Sequence, residues 1–264
     1  MAMQVFNRSE DPRLAVVRAV ARKDAAWAKL LSERMVEEMK EARQLKAETD
    51  ANNSQTGDNL FNIANSAVKT DQNLALTLAR QGLQYNPSSY FPVLFLYNLA
   101  EVDQAAANQF LLEAIQAFSV GQVRSLLGLT AYAFGQPRGV GPDGSFYMAV
   151  PEKFQPPAAG QQQFLEALLN RAASFVTAPP LVDDTQYVSE TASLYLALQQ
   201  LEGLVAKYQP GYLPRLGTAK LTLSALLSEK DRKQTAEITQ QQHEMETDTS
   251  ETILDRAEKG SGCG

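Results

Sequence analysis

Few residues in this chain have the means to do chemistry, and the most suggestive are four carboxylates, Glu166, Asp183, Asp184 and Glu190. Two carboxylic acids held at a suitable separation hydrolyse glycosides, one as proton donor and the other as base or nucleophile. Helix capping and a solvated helix face account for the same residues without special geometry, because acids at helix starts answer free N–H groups and the positive end of the dipole. A carboxylate hydrolase framed by Gly135 to Gly160 is therefore the alternative reading, and no catalytic residue is assigned. His243 lies among Gln242, Glu244 and Glu246 with no serine or cysteine nucleophile held nearby. Cys263 sits in a Gly-rich terminus, which suits an exposed thiol better than a positioned nucleophile.

The segment Gly135 to Gly160 is rich in Gly, Pro and aromatic residues and reads as a long loop. Within it, Gly139-Val140-Gly141-Pro142-Asp143-Gly144 matches the glycine spacing of dinucleotide sites. Such a site needs a strand before the glycines and a helix directly after them, and this Pro-rich context supplies neither, so the motif reads as a turn. Arg138, Asp143, Phe146, Tyr147, Lys153 and Phe154 join charge to aromatic area and are the candidate ligand-binding residues, since long loops often carry function. A packing role competes and is preferred: Phe146, Tyr147 and Phe154 tuck against helices and cover an apolar groove.

Composition narrows the field. The 264 residues are 44% hydrophobic, enough for a large core in one elongated domain or two compact ones. A net charge of -6 and a pI near 5.0 argue against broad phosphate binding, so nucleic acid is not an expected partner. The longest apolar stretch, Tyr90 to Ala100, is about half of a bilayer span and contains Pro92 and Asn98, so no membrane span is expected. Met1 to Pro12 has no apolar signal core, and a previously removed secretory leader leaves the compartment open. One cysteine and one histidine exclude an intramolecular disulfide and the usual structural zinc set. No cofactor or metal is expected, and the fold must rest on packing.

The elements that position these residues are announced by a repeat around Asp24, Asp71 and Asp103. Eight residues before each aspartate stand Val16, Ile63 and Phe95, followed by Val17, Ala64 and Leu96. Four before it stand Val20, Ala67 and Leu99, followed by Ala21, Val68 and Ala100. After the aspartate come Ala28, Ala75 and Ala107, then Leu31, Leu78 and Phe110, then Val36, Leu83 and Ile115. Spacings of three, four and seven put these side chains on one helix face, whereas strands would alternate. The aspartates read as structural N-caps of each second helix, and the alanines four residues on let helices approach closely. Trp27 falls in the stripe and reads as core. The aspartates stand 47 and then 32 residues apart, because the first unit carries a long charged helix through Leu45 and a polar linker, Asp50 to Asp58. The next pair is joined tightly at Asn86-Pro87, with Pro87 placed as the first residue of the following helix.

Over about residues 10 to 118 this arrangement resembles the tetratricopeptide-like class of helical repeats, and more loosely uncharacterised bacterial proteins with tandem Asp-x-x-x-Ala hairpins. It lacks the regular period of about 34 residues and the Trp, Gly and Tyr signature of that class. The resemblance implies an architecture; the repeat itself leads to the expectation of a non-catalytic scaffold that presents a groove or helix face to a protein or peptide of unspecified identity, with the carboxylate hydrolase and a purely structural segment of a larger protein as the alternatives.

Further along, Val120 to Phe134 reads as one apolar helix, and Gln161 to Thr177 as another with Phe164, Leu165, Leu168, Leu169, Ala172 and Phe175 inward. A helix from Asp183 or Asp184 to Tyr208 would bury Tyr187, Leu194, Leu198, Leu201 and Val205. Tyr212 to Leu227 would bury Leu216, Leu221, Leu223 and Leu227, with Pro214 in its first turn. Ser228 to Ser250 is polar and is expected to make weak tertiary contacts, as a solvated helix or tail. Ile253, Leu254 and Ala257 mimic the first-helix stripe, as a truncated next repeat or by chance. The expected fold is all-α, with stacked antiparallel helical hairpins as a tetratricopeptide-like α-solenoid or an irregular bundle. Residues 10–134 form the repeat region, 135–160 the loop, 161–227 further hairpins of the same domain, and 228–264 the polar helix or tail.

Overall fold

The computed structural model of the chain describes residues 16–17, 19–20, 23–24, 26–31, 34–35, 50–85, 87–120, 123–135, 139–140, 146–147, 150–180 and 188–240. Its named helices are α1 (Asp50–Ala67), α2 (Gln72–Leu83), α3 (Tyr90–Val102), α4 (Gln104–Phe118), α5 (Val123–Gly128), α6 (Thr130–Phe134), α7 (Ala158–Thr177), α8 (Glu190–Tyr208) and α9 (Leu213–Leu226). Residues 229–240 are also helical, as are short stretches among 16–35. The fold is all-α. Its strands β1 (Gly139–Val140) and β2 (Phe146–Tyr147) pair in a ladder of two residues each, so the first two residues of the glycine motif lie in a strand.

One corner geometry occurs three times. The N–H groups of Asp24, Asp71 and Asp103 donate to the carbonyls of Val20, Ala67 and Leu99 at 2.8, 2.8 and 2.7 Å. Oδ1 of each aspartate then accepts from the N–H three residues on, at Trp27, Leu74 and Ala106, each at 3.0 Å. Asp71 (φ −148°, ψ 88°) and Asp103 (φ −150°, ψ 95°) share an extended backbone. One extended residue between two helical runs reverses the chain, while its side chain satisfies an N–H that the second helix leaves free. Asp103 closes α3 and opens α4 at once.

The chain divides into two compact units, Met1–Gly139 with Phe146–Arg171, and Val140–Ser145 with Ala172–Gly264. In the first, the apolar columns of the second and third repeats are buried throughout: Ile63, Ala64, Ala67, Val68, Ala75, Leu78 and Leu83, and their counterparts Phe95, Leu96, Leu99, Ala100, Ala107, Phe110 and Ile115. Phe61, Phe95 and Phe110 meet edge to face at 4.9 to 6.3 Å, joining α1, α3 and α4 in one aromatic cluster. Side chains couple one hairpin to the next. Gln72 Nε2 donates to Asp103 Oδ2 at 3.1 Å, Asn98 Nδ2 to Asn65 Oδ1 at 2.9 Å, and Arg80 Nε and Nη2 to the two oxygens of Glu113 at 2.7 and 2.9 Å. The buried carboxylate of Asp58 accepts from the N–H and Oγ of Ser88 and so fixes the turn between α2 and α3.

Several expectations are corrected. Trp27 is 54% exposed and Val16 is also exposed, although Val17 and Ala28 in the same unit are buried. The stretch read as a polar linker, Asp50 to Asp58, is the first half of α1, with Gly57 and Asp58 buried. Pro87 is not the first residue of a helix. It is buried in the turn, and α3 starts at Tyr90 after Ser89. The apolar run after Val120 is two helices, because the buried Leu129 stands in a turn between α5 and α6. The chain then leaves α6 through Gly135, whose φ of 57° is left-handed and favours glycine. The segment to Gly160 is no continuous loop, since it holds the β ladder, a 3-10 turn at Glu152–Phe154 and the start of α7. Residues 36–49, Ala21, Asn86 and Tyr187 lie outside the described residues.

In the second unit, α8 begins at Glu190, where Ser189 Oγ accepts from the Ala192 N–H at 3.1 Å. Leu194, Leu198, Leu201 and Val205 are buried along it. Helix α9 carries Pro214 in its first turn and buries Leu216 and Leu223, but Leu221 is 74% exposed. The expected weakly held polar segment is anchored at least to residue 240. Ser228 and Asp231 bond reciprocally as a capping box, and Ile238 packs in a buried cluster with Val188, Ala192, Leu196 and Leu227. The segment containing His243, Ile253, Leu254, Ala257 and Cys263 lies outside the described residues.

Candidate functional site

The corner at Asp103 begins a connected polar region of the first unit. Gln104, the first residue of α4, points its amide at three acceptors: Tyr132 Oη at 3.0 Å, Asn108 Oδ1 at 3.1 Å and the Phe154 carbonyl at 3.1 Å. The preceding repeat uses Gln72, also next to its capping aspartate, to reach Asp103. An Asp-Gln pair at successive helix starts thus links each hairpin forward, and the doublets Asp71-Gln72 and Asp103-Gln104 are a signal that reading the sequence passed over.

The Phe154 carbonyl belongs to a strap, residues 150–157, held by side-chain amides. Gln155 Nε2 donates to the Phe134 carbonyl at 2.9 Å and Gln161 Nε2 to the Ala133 carbonyl at 3.2 Å, satisfying the open C-terminal end of α6. Phe154, 9% exposed, meets the ring of Tyr97 edge-on at 5.5 Å, and Val150 and Pro156 are buried beside it. Pro151 (φ −58°, ψ 141°) and Gln155 (φ −56°, ψ 139°) enter and leave the 3-10 turn in polyproline II conformation.

These contacts set the electrostatics. The Ala106 N–H, and after it the Gln72 amide, hold the Asp103 carboxyl below its ordinary 3.8. The hydrogen bond from Arg80 lowers Glu113 in the same way, against a smaller desolvation effect, and that from Tyr97 to Glu101 raises the Tyr97 phenol. Burial pushes Tyr132 up to about 12, and the Gln104 hydrogen bond opposes it in part. None of these groups is poised to exchange a proton near neutrality, the condition a general acid or base needs.

Of the six candidate ligand-binding residues, Phe154 is packed against Tyr97 and Lys153 is exposed with its ammonium 4.6 Å from the Phe154 ring. Phe146 and Tyr147 form β2, and their side chains, like Arg138 and Asp143 altogether, lie outside the described residues. Glu166 is half-buried on α7, Glu190 opens α8, and Asp183 and Asp184 also lie outside the described residues. Among the described residues no group of three or more His, Cys, Asp or Glu is placed to hold a metal ion, and no helix is long and apolar enough to cross a membrane. Tyr97, Gln104, Tyr132, Asn65 and Asn98, which make the separate contacts described above, were not among the candidates. Their pairing depends on how the hairpins stack. No family model matches the chain, and no curated protein or solved structure is significantly similar to it.

Proposed function

We propose that the chain is a non-catalytic helical-repeat scaffold that presents a helix face to a protein or peptide, with an architecture akin to the tetratricopeptide-like class. The observation that carries this reading is the repeated coupling of hairpins, Gln72 to Asp103, Asn98 to Asn65 and Arg80 to Glu113, at separations of 31 to 33 residues. Units that contact mainly their sequence neighbours build extended surfaces, and partner recognition is the use to which such surfaces lend themselves. On α3, Leu94 and Tyr97 are half-buried and Tyr90 is exposed, and on α1 Asn59 and Asn62 are half-buried. The identity of the partner does not follow from architecture.

Affinity capture with the full chain from extracts of its native organism tests the reading, provided the bait is shown to be folded. A partner retained by the wild type and lost on substituting exposed α3 residues is the expected result. Repeated failure to recover any partner with a folded bait overturns it.

A further inference from the structure

We infer that α5, α6 and α7 are a fourth hairpin of the same array, its corner opened by the inserted residues 136–156, and that Gln155 of the strap stands in for the side chain of the missing corner aspartate. A fourth unit lengthens the proposed scaffold and rests on its repeat, whatever partner that scaffold binds. Gly135 stands 32 residues after Asp103, the interval that also separates Asp103 from Asp71. Its N–H donates to the carbonyl of Ala131, four residues back, as those of Asp71 and Asp103 donate to Ala67 and Leu99. Leu127 and Ala131, eight and four residues before it, are buried like Phe95 and Leu99.

Pro157 supplies the other half of the corner. Its carbonyl accepts from the Gln161 N–H at 3.3 Å, the bond that Asp71 makes with Ala75 and Asp103 with Ala107. Any amphipathic helix repeats its apolar face, but this bond fixes the register. Counted from Pro157, the buried Phe164, Leu165 and Leu169 fall seven, eight and twelve residues on, where Phe110, Leu111 and Ile115 fall from Asp103. Phe134 meets Phe164 edge-on at 6.1 Å, joining the two arms of the hairpin. A Cβ on Gly160 would lie 3.8 Å from Leu111 Cδ2, so α7 begins against α4, and residues 158–171 belong to the first compact unit. The departure from the pattern is the break at Leu129, which divides the first arm into α5 and α6.

The strap closes the opened corner. Asp71 and Asp103 are extended at φ −148° and −150° and feed directly into a helix, whereas Gly135 at φ 57° turns the chain out into the insertion. A Cβ on Gly135 would stand 2.7 Å from Gln155 Nε2 and 3.0 Å from its Cγ, so the Gln155 side chain fills the space that a corner side chain would occupy. From there it donates to the Phe134 carbonyl, which α6 leaves free. The forward link of the array is kept as well. Gln72, beside its own corner, reaches Asp103 at the next, and Gln104, beside Asp103, reaches the carbonyl of Phe154, the neighbour of Gln155. Insertions within helical repeats fall in the connections between helices, where they leave the stacked core intact.

The test rebuilds the corner. Gly135→Asp combined with deletion of residues 136–157 joins the corner directly to Ala158 and keeps Gln161 and Phe164 four and seven residues beyond it. Hydrogen exchange should find residues 158–171 of α7 still protected in this chain. Their protection should be about fivefold greater than in the same deletion carrying Gly135→Ala, the effect expected of a helix cap. Loss of protection in α7, or equal protection with aspartate and alanine, overturns the corner. A second measurement uses the full chain and does not depend on the deletion. Leu111→Ala should lower protection in residues 158–171 about tenfold or more, and by more than in α1, because each unit of an array is held by its neighbours. Protection that falls no further in α7 than in α1 overturns the fourth unit. Either failure leaves the partner-binding reading to the capture experiment, which is made on the unaltered chain.

Discussion

At the scale of single residues, the column assignments translate into unequal costs for neighbouring substitutions. Leu78 is 2% exposed on α2, between α1 and α4, so Leu78→Ala should leave a cavity and cost about 2–5 kcal/mol. Asn73, exposed on the same helix, should change stability by no more than about 0.5 kcal/mol on Asn73→Ala. Gln72, on the same turn, would not serve as a neutral control, because its amide is bonded to Asp103. Urea melts of both variants check the contrast, and equal midpoints would contradict the packing of α2. Asp103 makes a second prediction. The Ala106 N–H and the Gln72 amide favour its charged form, so its folded pKa lies below the ordinary 3.8. A lowered folded pKa means that the stabilisation is complete above the unfolded value and is lost as pH falls through the folded one. Asn caps a helix about as well but does not titrate. The advantage of wild type over Asp103→Asn in urea should therefore shrink between pH 7 and about pH 3, and an unchanged gap would contradict the assigned cause.

At the scale of elements, close approach between helix ends decides what a side chain is allowed to be. Gly128 ends α5 against Ser89 at the start of α3, and a Cβ there would stand 2.5 Å from Ser89 Cβ and 3.1 Å from its Cα. Backbone cannot give way as a flexible side chain can, so Gly128→Ala should cost about 1–3 kcal/mol. Gly217 in α9 has open space around its missing Cβ, so Gly217→Ala should stabilise by about 0.5–1 kcal/mol through helix propensity alone. Thermal melts of the two variants should move in opposite directions, and a neutral Gly128→Ala would show that α5 and α3 are less tightly apposed. This scale also shows what the sequence discloses. The stripes of α2, α3 and α4 were legible because spacings of three, four and seven are imposed by the helix itself. The turn at Leu129 and the seat of Phe154 on Tyr97 were not, since a local pattern carries no record of which distant surface an apolar residue will meet. The Ser228-x-x-Asp231 box was readable, and the polar composition around it outweighed it.

At the scale of the molecule, burial belongs to units, and this explains where reading one helix at a time failed. Trp27 and Leu221 occupy stripe positions by spacing yet remain exposed, because a stripe is buried only where another element lies against it. The candidate site shared the difficulty: the capping aspartates were legible locally, but Asn65 with Asn98 and Gln104 with Tyr132 join residues 28 to 33 positions apart. The second unit offers the corresponding test. Its cluster of Val188, Ala192, Leu196 and Leu227 is completed by Ile238 from residues 229–240. Removing everything after Leu227 deletes the helix that covers this cluster and the Ser228–Asp231 cap that starts it. Each buried aliphatic side chain returned to water costs about 1.5–3 kcal/mol, and a unit of this size has only about 5–15 kcal/mol in total. The truncated chain should therefore lose hydrogen-exchange protection first in α8 and α9, while the first unit, whose aromatic cluster of Phe61, Phe95 and Phe110 is untouched, keeps its protection in α2 to α4. Ile238→Ala in the full chain should weaken α8 in the same order but by less, which separates loss of the docked helix from loss of chain length. Uniform protection across α8 and α9 after truncation would mean that residues 229–240 contribute nothing to the core they touch.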